Sequence, residues 1–121
     1  MNDRFSESTE KIAVVDIGAN SGRMNIYDIN IETGEFSVCD SARSMLGLAA
    51  YSVGGRLSPD GEGRLFAVLR EYLARANSVP TDAFYAFATA SLRGLSNTHK
   101  VLASIKRRLG VDVNVISGDE E

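Results

Sequence analysis

The stretch that most constrains the fold is residues 11–27, KIAVVDIGANSGRMNIY. Lys11 is followed by an almost continuous apolar run, Ile12, Ala13, Val14, Val15 and Ile17, interrupted near its end by Asp16. That pattern predicts a buried strand over residues 11–17. Gly18-Ala19-Asn20-Ser21-Gly22-Arg23 is small and polar, and a second run with Met24, Ile26, Tyr27 and Ile29 follows it. The two runs read as strands joined by a tight hairpin. A turn of glycine, asparagine and serine can aim several backbone N–H groups at one point, and such a concavity binds anions, phosphate above all. Asp16 at its mouth can hold a metal ion or a water beside the phosphate. The plain alternative is a strand-end carboxylate capping an ordinary hairpin.

The remaining elements follow in order. Glu32-Thr33-Gly34-Glu35 predicts a turn into a third strand over residues 36–41, giving an antiparallel meander. Residues 42–55 lack a clean period and read as a loop or short helix on the sheet edge. Ser58-Pro59-Asp60 has the chemistry of a helix start, with Leu65, Leu69, Tyr72, Leu73 and Ala76 at helical spacing behind it. AFYAFAT, residues 83–89, predicts a central strand covered on both faces, with Phe84, Tyr85 and Phe87 in the core. A second helix is expected over residues 97–109, capped by Asn97, buried through Val101, Leu102, Ile105 and Leu109, and ended by Gly110. Residues 111–116 form the last strand, so the order is β-β-β-α-β-α-β. Residues 1–10 read as a disordered or extended lead-in.

Composition narrows the chemistry. In 121 residues there is one cysteine, Cys39, so neither an intrachain disulfide nor a thiolate metal site can be built. A metal would be held by oxygen, which favours magnesium. The net charge is −3, and Lys106-Arg107-Arg108, the one basic cluster, falls in the last turn of a helix where cations complement the dipole. Nucleic acid is therefore not an expected partner. No apolar run is long enough to span a membrane, and the polar N-terminus lacks the pattern of a signal peptide. A cytoplasmic protein without a membrane partner is expected.

Three segments stand together in order: VDIGANSGR at residues 15–23, ATASLRGLSN at 88–97 and VNVISGDEE at 113–121. With GRLSPDGEGRLFAVLREYL at residues 55–73, they resemble the exopolyphosphatase and guanosine pentaphosphate phosphohydrolase (Ppx/GppA) family of the actin-like ATPase superfamily. The resemblance implies an α/β, ribonuclease-H-like lobe with a mixed sheet, spanning residues 11–121. It would be the N-terminal lobe of a two-lobed phosphatase domain whose cleft needs a second, C-terminal lobe. The implied activity is Mg²⁺-dependent hydrolysis of the terminal phosphate of inorganic polyphosphate, or of the 5′-phosphate of guanosine pentaphosphate.

Residue by residue, Asp16, Gly18, Asn20 and Ser21 match the family's first phosphate-binding turn, with Asp16 near the metal and the attacking water. Arg23 follows that turn as a further phosphate ligand. Arg93 matches an arginine that reaches a substrate phosphate, and Glu121 matches the carboxylate that orients or deprotonates water. Departures are also plain. Ala19 stands where a hydroxyl residue is usual, and Gly22 replaces a bulkier residue, which predicts a looser hairpin. Met45-Leu46-Gly47-Leu48-Ala49 lacks the charged groups of the family's corresponding segment. The family's second glycine-rich turn is not in this sequence. A non-catalytic phosphate, polyphosphate or nucleotide-binding module is the alternative that these departures favour, with an ATP-using kinase relative third. A lobe lacking its partner is also expected to dimerise through the cleft wall.

Overall fold

The computed structural model describes residues 9–89 and 92–116. Strands β1 (Thr9–Ile17), β2 (Ser21–Asn30) and β3 (Phe36–Met45) form the meander. A short 3-10 turn (Leu48–Tyr51) and two-residue strands β4 (Ser52–Val53) and β5 (Arg56–Leu57) lead into helix α1 (Pro59–Ser78). Strand β6 (Ala83–Ala88), helix α2 (Thr98–Leu109) and strand β7 (Val113–Val115) complete the chain. The five long strands make one mixed sheet in the order β3-β2-β1-β6-β7, with β1, β6 and β7 parallel and β2 and β3 antiparallel to their neighbours.

This is the expected ribonuclease-H-like α/β lobe, with differences along the chain, among them a last strand of Val113–Val115 where residues 111–116 were expected. β1 begins at Thr9, inside the segment expected to be a lead-in. β3 runs on to Met45, and the small hairpin β4-β5 occupies part of the segment read as loop or short helix. β3 also carries a bulge: Ile26 faces Asp40 while Tyr27 faces Val38, so Cys39 is the extra residue and is exposed.

Helix α1 starts as its sequence dictates. The Ser58 hydroxyl accepts from the Gly61 N–H at 3.1 Å, and Pro59 takes the first helical position. Gly110, in the left-handed region at φ 73°, ends α2. Asn97 does not cap α2. Its side chain instead accepts from Leu57 N–H and donates to Leu57 C=O, both at 2.9 Å, and is only 7% exposed. A buried primary amide needs both donor and acceptor satisfied, and the backbone of Leu57 supplies both while a helix end supplies one.

The core lies on one face of the sheet. Ala13, Val15 and Ile17 of β1, Met24 and Ile26 of β2, and Ala86 and Ala88 of β6 are buried with Leu65, Leu69 and Tyr72 of α1 and Val101 and Ile105 of α2. Register partners share a face. The opposite face therefore carries Ile12, Val14 and Asp16 beside Ala83, Tyr85 and Phe87, with Arg23, Asn25 and Tyr27 on the other side. Among the described residues nothing covers that face, and Tyr85 is 49% exposed. β6 is thus central but covered once, which corrects the expectation that Tyr85 is core; Phe84 and Phe87 are half-buried. The apolar run of a central strand reads the same whether one layer or two lie on it.

Candidate functional site

The C-terminal ends of the three parallel strands lie side by side. Ile17 pairs with Ala88 and Ala88 with Val115, and the Thr89 and Ile116 N–H groups bond Ile17 C=O at 3.2 Å and Ala88 C=O at 3.0 Å. The residues that leave those ends, Gly18 after β1, Thr89 after β6 and Ile116 after β7, therefore lie along one edge of the sheet. Ligands of open α/β sheets bind outside the carboxyl ends of the strands for this reason.

The turn is closed by the Gly18 N–H bonding Ser21 C=O at 2.9 Å. Its outward carbonyls are held from the side. Asn20 C=O accepts from Leu46 N–H at 2.7 Å and Gly47 N–H at 3.0 Å, and Ala19 C=O from Ala49 N–H at 3.4 Å. Among the described residues, the N–H groups of Ala19 and Asn20 bond to nothing. Two consecutive free N–H groups are the kind of donors from which a backbone concavity for an anion is built. Asn20 is exposed and Ser21 and Gly18 are half-buried at its rim.

Gly22 does not loosen the hairpin. It is buried, its carbonyl accepts the Tyr72 hydroxyl at 2.9 Å, and an added Cβ would sit 3.2 Å from Leu46 Cδ1. In the departing segment 45–49, Leu46 and Leu48 are fully buried and contribute to the same packing, so a charge is excluded at residue 48, whereas Met45 is 66% exposed.

Asp16 is exposed at the end of β1, on the open face. Its register partner on β2 is Arg23, also exposed, and the two form no ion pair. Arg23 in turn faces Arg43 on β3 across a shallow cavity of about 370 Å³ lined by those two arginines, Asn25, Ser41 and Ala42. Neither arginine has an acidic partner among the described residues. Arg43 carries no motif and escapes a reading of the sequence; the register alone reveals it. Two opposed, unpaired guanidinium groups repel each other and offer a place for an anion.

Arg93 lies in the loop after β6 and donates to Ile116 C=O at 2.8 Å, which ties that loop to the end of β7. It lines a 460 Å³ cavity with Leu92, Gly94, Thr98, His99 and Asn114. Glu121, Ser117 to Glu120, and the pair Ala90-Ser91 lie outside the described residues. A cavity of 630 Å³ around Asp28, Asn30 and Glu35 is at the opposite end of the β1–β2 hairpin and has no part in this site.

Among the described residues no three His, Cys, Asp or Glu side chains gather as a metal cluster. Asp16 is the one carboxylate at the turn. A single carboxylate can suffice from the protein for Mg²⁺ where the ion keeps several waters and takes further ligands from a bound phosphate group.

The whole lobe has close structural counterparts. A Ppx/GppA family member from Aquifex aeolicus superimposes with a TM-score of 0.84 at 27% identity, over 93% of this chain and 36% of that one. An exopolyphosphatase from Cytophaga hutchinsonii shares the fold at a TM-score of 0.85 and 24% identity, over 93% and 36% of the two chains. Exopolyphosphatase 1 of Mycobacterium tuberculosis is 26% identical over 112 residues, 92% of this chain. Those residues are 32% of the relative, so the chain spans about a third of the length of the curated relatives it matches. The model of the Ppx/GppA phosphatase family matches residues 29–121. The chain belongs to the Ppx/GppA phosphatase family.

Proposed function

We propose that this chain is the phosphate-binding N-terminal lobe of a phosphohydrolase that removes the terminal phosphate of inorganic polyphosphate or the 5′-phosphate of guanosine pentaphosphate. The observation that carries the reading is the pair of unpartnered N–H groups at Ala19 and Asn20 beside the Asp16 carboxylate, at the edge where Arg93 also stands. N–H donors and guanidinium groups neutralise the terminal phosphoryl oxygens, and a carboxylate, Glu121, orients water in line with the bridging oxygen. Water adds to phosphorus as the bridging P–O bond breaks; its proton passes to the carboxylate, and orthophosphate leaves with a chain one phosphate shorter. Mg²⁺ held at Asp16 would supply charge neutralisation. The remaining ligands would come from a second lobe.

A non-catalytic binding module is the second reading, supported by the lack, among the described residues, of any cluster of three His, Cys, Asp or Glu side chains around the turn. Phosphate release from long-chain polyphosphate with Mg²⁺, by this chain and by Glu121→Gln and Asp16→Asn, decides between them. Turnover lost in both variants establishes a working site within this lobe. Tripolyphosphate binding without turnover supports the non-catalytic module. Absence of both overturns the phosphate reading.

A further inference from the structure

Arg64 projects from the first turns of α1 onto the segment that flanks the phosphate turn. Its Nε donates to Leu46 C=O at 3.0 Å and its terminal NH2 group to Met45 C=O at 2.8 Å. The guanidinium also lies over the Tyr51 ring, 5.4 Å from the centroid. Both anchored carbonyls therefore belong to a segment whose own N–H groups, at Leu46, Gly47 and Ala49, hold the carbonyls of Asn20 and Ala19. A trans peptide is planar, with its C=O and the next N–H pointing in opposite directions. Fixing Ala19 C=O toward residue 49 turns the Asn20 N–H the other way, and fixing Asn20 C=O toward residues 46–47 does the same for Ser21 N–H. The direction of the Asn20 N–H, one of the turn's two free donors, is thus set from behind.

We infer that Arg64 is a positioning residue for the phosphate turn, acting through the backbone of residues 45–49; the inference rests on the phosphate reading of that turn. A forked guanidinium suits the task because it bonds two successive carbonyls in one plane, while a lysine ammonium is a point donor. Apolar burial of Leu46 and Leu48 fixes where the segment lies, and Arg64 fixes how its peptides are turned. Arg64 is itself exposed, so its removal leaves the core filled.

Amide hydrogen exchange and titration with tripolyphosphate, on the chain and on Arg64→Ala and Arg64→Lys, test this. In Arg64→Ala the Leu46 and Gly47 amides should exchange about tenfold faster while those of β6 keep their protection, the signature of a local opening. Tripolyphosphate affinity should fall about tenfold in Arg64→Ala, a loss of ~1.4 kcal/mol, and recover partly in Arg64→Lys. Unchanged exchange at Leu46 and Gly47, or acceleration shared equally by β6, overturns the inference. A parent chain that binds no tripolyphosphate while Arg64→Ala still opens residues 46–47 overturns the phosphate reading instead and leaves Arg64 a clamp of the fold alone.

Discussion

The Tyr72 hydroxyl donates to the carbonyl oxygen of Gly22 at 2.9 Å, linking the middle of α1 to the strand that leaves the turn at residues 18–21. It also lies 3.0 Å from the Ser44 hydroxyl, so one side chain ties α1 to both β2 and β3. Tyr72→Phe keeps the ring and removes one hydrogen bond to a buried carbonyl. The expected cost is about 1–2 kcal/mol, read as a lower urea midpoint at unchanged slope. A variant as stable as the parent would show that water satisfies Gly22.

The same residue gives the lobe an alkaline limit. Burial pushes the Tyr72 hydroxyl above its ordinary pKa of 10.0, the Ser44 bond opposes this, and the nearby Glu71 charge adds to it. The folded state therefore holds its proton more tightly than the unfolded chain. That contribution to stability is complete below the unfolded value and is lost as pH climbs through the folded one. Urea midpoints measured above pH 10 should fall more steeply for the parent than for Tyr72→Phe, and parallel curves would refute the assignment.

Asn97 and Leu57 join the entries of the two helices by a reciprocal pair of buried hydrogen bonds, each 2.9 Å. Asn97→Ala strands an N–H and a C=O together, and a loss of about 2 kcal/mol or more is expected. Asn97→Asp, which keeps the acceptor and removes the donor, should fall between the two. If α2 were merely capped by Asn97, Asn97→Asp would be harmless, since aspartate caps equally well.

On the open face, Arg23 and Arg43 stand opposite each other without acidic partners among the described residues. Arg43→Glu replaces repulsion with a cross-strand ion pair. It should stabilise the chain by about 0.5 kcal/mol while weakening polyphosphate binding and flattening its salt dependence. Stabilisation with unchanged binding would remove the cavity between these arginines from the phosphate site.

Much of this was legible in the residues. Asp16, Gly18, Asn20 and Ser21 announce a strand and a polar turn, and Ser58 and Gly110 mark helix ends because their chemistry is local. Asn97 looked like a cap for the same local reason, yet its partner lies 40 residues away. Arg43 and Arg64 have no signature at all. One acquires a role through strand register and the other through carbonyls 18 and 19 residues distant, neither of which a linear pattern encodes. Ile12, Val14 and Tyr85 show the opposite failure: their apolar run suggests two covering layers where the described residues supply one.

That last point can be measured. Val15 faces the helices and is fully buried, while Tyr85 on the neighbouring strand faces the other way and is 49% exposed. Val15→Ala removes two methyl groups from the packed layer and should cost about 2 kcal/mol, transfer and cavity together. Tyr85→Thr keeps strand propensity and gives up contacts only with side chains such as Val14 on an uncovered surface, so its cost should stay below about 1 kcal/mol. The urea midpoints of the two variants should differ accordingly at equal slope. Equal losses would mean that a second layer lies over Tyr85 in solution, supplied by a further copy of the chain, and the midpoint of the parent would then rise with protein concentration.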